Sequence, residues 1–238
     1  MQPSDQVLLG KLTRREFRQR MGSGALQACI IPVAAVEQHL EHLAMEHDWR
    51  SVNHLAIAAA EKLAPRVIVA QGLMAGISEH HMKHPGTLSL RPGSFLAVLY
   101  DLIDSMVRAG FKNVLVLNGH GGNVAPCLGV WDQYQQLSGV NLHFLPYWDL
   151  VTEEDARENL VTGELPGHAQ EFETAFALAA FPENVRPDAV ADQADPAPSK
   201  ATASAGNQLI ELFVERLTAY LDDMMAGRRV AEIPPFHP

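Results

Sequence analysis

Four short, unbroken apolar runs alternate with helix-length stretches, and this alternation narrows the fold more than any other feature of the chain. The runs are Ala28 to Val36, Val67 to Ala70, Val114 to Leu117 and Leu142 to Leu145. A strand with water on one face alternates apolar and polar residues, whereas a continuous run of Val, Ile and Leu requires cover on both faces. Between the runs lie stretches with helical spacing, roughly 49–63, 94–109 and 123–137, the second closed by Gly110 as a C-cap closes a helix. Strand and helix in turn give βαβ units, and so an α/β fold whose mainly parallel sheet is covered on both sides.

Thr13 to Met21 has the pattern of a short helix capped by Thr13, and residues 168–181 and 208–225 are helical as well. Between the last two, "DAVADQADPAPSKATASAGN" reads as an extended connection, and the tail "IPPFHP" as irregular. With 238 residues, 47% of them hydrophobic, and no internal repeat, one domain over 1–238 is expected.

A formal net charge of -10, without clustered Lys and Arg, excludes a general nucleic-acid binder. No apolar run approaches the ~18 residues of a membrane span, and no charged-then-apolar leader opens the sequence, so the expectation is a cytoplasmic protein without a membrane partner. Cys29 and Cys127 sit in apolar contexts and read as small buried hydrophobes, not as a disulfide.

Chemistry concentrates where apolar runs end. The first passes into "EQHLEHLAMEHD", residues 37–48. Residues two apart on an extended segment share a side, so Glu37 and His39 converge while Gln38 looks away, and Asp48 can return a carboxylate to the same place. Asp48 is also placed to N-cap the helix near Trp49. The third run ends in "NGHGGN", which puts His120 on the same sheet edge. Carboxylate oxygen mixed with imidazole nitrogen suits zinc, manganese or iron better than calcium. His42, His47 and His54 read as surface or supporting groups. The glycines around His120 lack both the GxxxxGK[ST] and the GxGxxG pattern, which leaves little for a phosphate cradle. In "PGHAQEFETAF", His168 and Glu171 share a helix face and Glu173 points elsewhere; both glutamates also suit a helix N-terminus. In "GISEHHMKHPGTLSL", Ser78 and the Pro85-Gly86-Thr87 turn either shape a substrate pocket or merely connect to the next helix.

Taken together, "EQH" with Asp48 following, "HPGTLSL", "NGHGGN" and "HAQEFET" resemble the creatininase (creatinine amidohydrolase) family in order and spacing over nearly the whole chain. The resemblance implies a three-layer α/β/α hydrolase, usually hexameric, with two divalent metal ions, zinc or else manganese or iron, acting on a small molecule. By the same resemblance Glu37 and His120 would hold one metal, His39 the other, and Asp48 would bridge them. In creatininase itself a Glu follows the metal-binding His by two residues; here Gly122 stands there, and Glu171 is expected to close the second metal site instead. His168 matches the family's active-site His, with Glu173 supporting it, and "TGELPG" replaces the residues that lid the creatininase pocket. The implied activity is hydrolysis of a small cyclic amide or formamide. His168 would serve the leaving nitrogen, the metal and a backbone N–H of the Gly119 to Gly122 loop would serve the oxyanion, and Ser78 and Gly121 would bind substrate. The alternatives are ring opening of a cyclic polyol ketone and a non-catalytic metal-stabilised scaffold.

Overall fold

The computed structural model describes residues 5–233. In chain order it consists of α1 (Arg14–Gly22), β1 (Ala28–Val33), α2 (His47–Lys62), β2 (Val67–Val69), α3 (Pro92–Arg108), β3 (Asn113–Asn118), α4 (Val124–Leu128), α5 (Trp131–Ser138), β4 (Asn141–Pro146), α6 (Glu153–Asn159), α7 (Glu171–Ala180), α8 (Pro187–Val190) and α9 (Ala203–Met225). The four strands form one parallel sheet in the order β2-β1-β3-β4, with Ala28 opposite both Val67 and Asn113.

The two-residue period of the strands divides the core. Ala28, Ile30, Leu115 and Leu117 face one way and pack with residues of α2, α7 and α9. Cys29, Ile31, Val33, Val114 and Val116 face the other way, towards Phe95, Leu99 and Ile103 of α3 and Trp131 of α5. Those three α3 residues, fully buried at i, i+4, i+8, each contribute roughly 1.5–3 kcal/mol by leaving water. The result is the expected α/β/α sandwich. Both cysteines are buried and unpaired.

Several boundaries differ from the sequence reading. β1 stops at Val33, because Ala34 N turns to donate to Leu73 O and the chain leaves the ladder. The expected 123–137 helix is two, α4 and α5, interrupted where Val130 takes φ -130, ψ 2. The Pro- and Ala-rich connection is partly folded: it contains α8 and a 3-10 turn over Ala197–Lys200 that buries Ala197 and Pro198. α9 begins before residue 208, at Ala203, because Thr202 Oγ1 accepts from Ala205 N at 3.1 Å. The tail reading at residues 234–238 lies outside the described residues. Among those described, no helix is long and apolar enough to cross a membrane.

Candidate metal centre

In a parallel sheet all carboxyl ends share one edge, and ligands bind in the crevice beyond it. Here the chain after β1 runs on beside Leu73 and Leu88, bridged at Val33 and Val36, before it carries Glu37 and His39 inwards. Asp48 enters from the first turn of α2, His120 follows β3, and His168 and Glu173 flank the start of α7. Glu37, His39, Asp48, His120 and Glu173 are all buried.

The two central histidines are held in the same manner. His39 Nδ1 lies 3.1 Å from the carbonyl of Glu37, and its Nε2 is 3.0 Å from Asp48 Oδ1. His120 Nε2 lies 3.0 Å from the carbonyl of Ile77, with Ser78 Oγ at 3.2 Å, and its Nδ1 faces Asp48 Oδ2 at 3.1 Å and Glu37 Oε1 at 3.4 Å. A carbonyl only accepts, so each outer nitrogen carries the proton. Each inner nitrogen is turned into a nest of carboxylates, as the ring of a metal-ligating histidine is fixed by its far N–H.

The donor set fits a divalent ion. Among the described residues the only cationic partners of Glu37, Asp48 and Glu173 are imidazoles. Glu37 Oε2 and Asp48 Oδ2 are buried without a hydrogen bond, the latter meeting His120 Nδ1 as an ion pair. Ligand atoms of Glu37, His39 and Asp48 lie within 4.8 Å of one another, as do those of His39, His168 and Glu173. Burial opposes a charge on His39 and His120, but the carboxylates beside them outweigh it and push both pKa values up to about 10. Burial likewise opposes ionisation of Asp48, yet His39 and His120 hold it well below the usual carboxylate range. The carboxylates and imidazoles thus hold one another's charge, a balance that a divalent cation among the same donors would also satisfy.

Around this centre lies a cavity of about 300 Å³ lined by Glu37, Asp48, His120, Gly121, His168 and Glu173 among others. It shares Trp148, Pro166 and Gly167 with a neighbouring cavity of about 680 Å³. Burial, and then the charge on His39, hold His168 down to about 4, so its ring is neutral at pH 7.

Glu37, His39, Asp48, His120 and His168 are thus brought together, and Gly121 lines the cavity. Glu171 is not part of the cluster. Its carboxylate turns away and accepts from Val161 N and Thr162 N at 2.8 and 2.7 Å, anchoring the loop before α7. Glu173 reaches Ala169 N and the neighbourhood of His39, not a hydrogen bond to His168. Ser78 is fully buried, with Oγ 3.2 Å from His120 Nε2. Asp48 does not cap α2, whose N-cap is Glu46, because both its oxygens are turned to histidines. His42 and His47 are core residues, the latter 5.1 Å between ring centroids from His39.

Gln38 reverses the expected alternation, because residues 37–39 are a bent loop instead of a strand. Its amide nitrogen lies 2.9 Å from His168 Nε2. The two asparagines of "NGHGGN" also gain roles. Asn118 clasps the backbone of His120, with Nδ2 donating to His120 O at 2.7 Å. Asn123 joins three segments by donating to Ala34 O and Asn118 Oδ1 and accepting from Ile77 N. Their signal was placement: polar side chains directly beside a candidate ligand at a buried strand end.

A family model described as creatinine amidohydrolase matches residues 10–201. Creatinine amidohydrolase of Pseudomonas putida is 28% identical over 206 residues, covering 79% of this chain and 77% of that protein. A 3-dehydro-scyllo-inosose hydrolase of Thermotoga maritima is 27% identical over 181 residues, covering 74% of this chain and 57% of its own. A solved structure titled as the manganese form of creatininase superposes with a TM-score of 0.77 at 25% identity, covering 91% of this chain and 98% of that one.

Proposed function

The chain belongs to the creatininase family, and from that membership we propose that it is a metal-dependent hydrolase of a small polar amide, cyclic or formylated. The observation that carries this reading is the paired geometry of His39 and His120, each with its outer nitrogen on a backbone carbonyl and its inner one among buried carboxylates. Glu37, Asp48 and His120 would hold one divalent ion, and His39 with Asp48 a second; zinc, manganese and iron all suit such donors. When bound, the ions supply Lewis acidity that lowers the pKa of a water and polarises the scissile carbonyl.

The chain's own residues orient the reaction. The side-chain oxygen of Gln38 accepts from Leu40 N at 3.0 Å, which leaves its amide nitrogen to donate to His168 Nε2. The neutral His168 ring therefore carries its proton on Nδ1, the nitrogen 3.7 Å from Glu37 Oε1. It offers that N–H to the oxygen on which negative charge develops, and the Gly121 segment lining the cavity bounds the same space. A buried imidazole kept neutral donates without first losing a charge. The 300 Å³ cavity suits a small substrate.

Metal content measured on protein purified without added metal, followed by hydrolysis assays on cyclic amides and formamides before and after chelation, tests the reading. Metal-dependent release of amine, ammonia or formate supports it. A linear keto acid from a cyclic polyol ketone would replace it with ring opening, and metal bound without any turnover would leave a scaffold. A hexamer, implied by the family resemblance, belongs to the same proposal and is checked by light scattering.

A further inference from the structure

The expected fifth ligand, Glu171, faces away from the cluster, which leaves the metal position at His39 short of a carboxylate. Three features in separate parts of the site bear on what fills it. First, position 122 cannot supply one. A Cβ on Gly122 would stand 2.1 Å from the carbonyl oxygen of Ile77 and 2.5 Å from His120 Nε2, so no side chain fits there without displacing backbone. Second, Glu171 has both oxygens engaged by the Val161 and Thr162 amides. Third, Glu173 is 7% exposed, lines the same cavity and brings Oε2 to 3.7 Å from His39 Nε2, the nitrogen that faces Asp48.

We propose that Glu173 is the carboxylate that completes the metal position carried by His39 and Asp48. This rests on the metal-centre reading above and adds a residue to it. The supporting contacts are those of a ligand. Ala169 N donates to Glu173 Oε2 and fixes the carboxylate, as oxygen ligands of metals are themselves hydrogen-bonded. Ala169 adopts φ 51 to make that contact, a left-handed conformation that disfavours residues with a Cβ, and it is fully buried there. The turn that presents His168 to the cavity therefore also presents Glu173 to His39, and the Glu171 side chain on the same first turn is left to hold the 161–162 loop.

The test uses the full chain, equilibrated with manganese, desalted and quantified for metal per chain, in wild type, Glu173→Gln and Glu171→Gln. About two ions are expected in wild type and in Glu171→Gln, and about one in Glu173→Gln. In the electron paramagnetic resonance spectrum the coupled-pair signal should give way to that of an isolated ion in Glu173→Gln alone. Two ions retained in Glu173→Gln would overturn the assignment, as would loss of one ion in Glu171→Gln only, or a wild type that binds a single ion. A wild type that binds none would instead bring down the metal-centre reading itself. Should Glu173→Gln not fold, Glu173→Asp keeps the charge and shortens the reach. Its second ion should then bind at least about 10-fold more weakly than in wild type, and unchanged affinity would count against the proposal.

Discussion

The amide nitrogen of Gln38 lies 2.9 Å from His168 Nε2 and 2.9 Å from His81 Nδ1, so one side chain sets the orientation of two rings at the mouth of the metal centre. The His81 and His168 rings stack with centroids 4.4 Å apart, which leaves neither free to turn alone.

His168→Ala should lower kcat by roughly 10²–10³-fold, the usual cost of losing one donor aimed at developing charge. Metal content should not change, because the carboxylates and the rings of His39 and His120 keep their partners. A parallel loss of metal would mean that His168 is a ligand and not a hydrogen-bond donor.

Gln38→Leu removes the donor to His168 Nε2 and with it the preference for a proton on Nδ1. That donor favours the neutral ring, so its loss raises the His168 pKa. The acidic limb of the kcat/KM profile should move to higher pH and kcat should fall about 10-fold, with metal stoichiometry intact. An unmoved limb would separate Gln38 from the protonation state of His168.

Gly122→Ala should destabilise the protein by about 1–3 kcal/mol and weaken metal binding, since the new methyl group would press on Ile77 and the His120 ring. Gly121→Ala is the control, because nothing lies within 4 Å of a Cβ there. Equal thermal stability of the two variants would show that the 77–80 segment yields easily.

The metal-free protein should lose stability as pH rises from about 7 to 10. His39 and His120, with pKa values near 10 in the folded state, bind protons there that the unfolded chain, titrating near 6.5, has released. The folded state thus binds more protons in that window, and raising the pH removes a stabilisation that is complete below about 6.5. The metal-loaded protein should be flat by comparison, and loading at pH 7.5 should release about two protons per chain, measurable by calorimetry in buffers of different ionisation enthalpy. Parallel stability curves for the two forms would contradict the charge state assigned to these rings.

Much of the fold was legible because burial writes itself into composition. A strand covered on both faces must be apolar throughout, and Ile30, Ile31, Val114 and Val116 announced the sheet. Four of the residues now in the cluster, Glu37, His39, Asp48 and His120, were legible for the converse reason, as ionisable groups at strand ends. What escaped depended on backbone direction over a few residues. Gln38 was assigned away from the site on the assumption that the strand continued, but β1 had already ended at Val33. Glu171 turned out to face away from the cluster and Glu173 to approach His39, because helical spacing says which residues share a face, not which face meets the site. The Val161 and Thr162 amides that capture Glu171 come from a loop whose path no local pattern records.

The crowding at Gly122 bears on redesign as well as on stability. A carboxylate two residues beyond the histidine, as in the creatininase pattern, and one from the α7 turn, as inferred for Glu173, cannot be exchanged by a single mutation in this chain. Glu at 122 would collide with the carbonyl of Ile77, and on the assignment inferred for Glu173 its prior loss would leave His39 and Asp48 without a third donor. Passage between the two designs requires the segment around Ile77 to retreat as the ligand moves. In this chain the backbone of a neighbouring loop therefore closes position 122 to a carboxylate, and an attempt to graft the creatininase centre onto this scaffold has to begin at residue 77 and not at the metal.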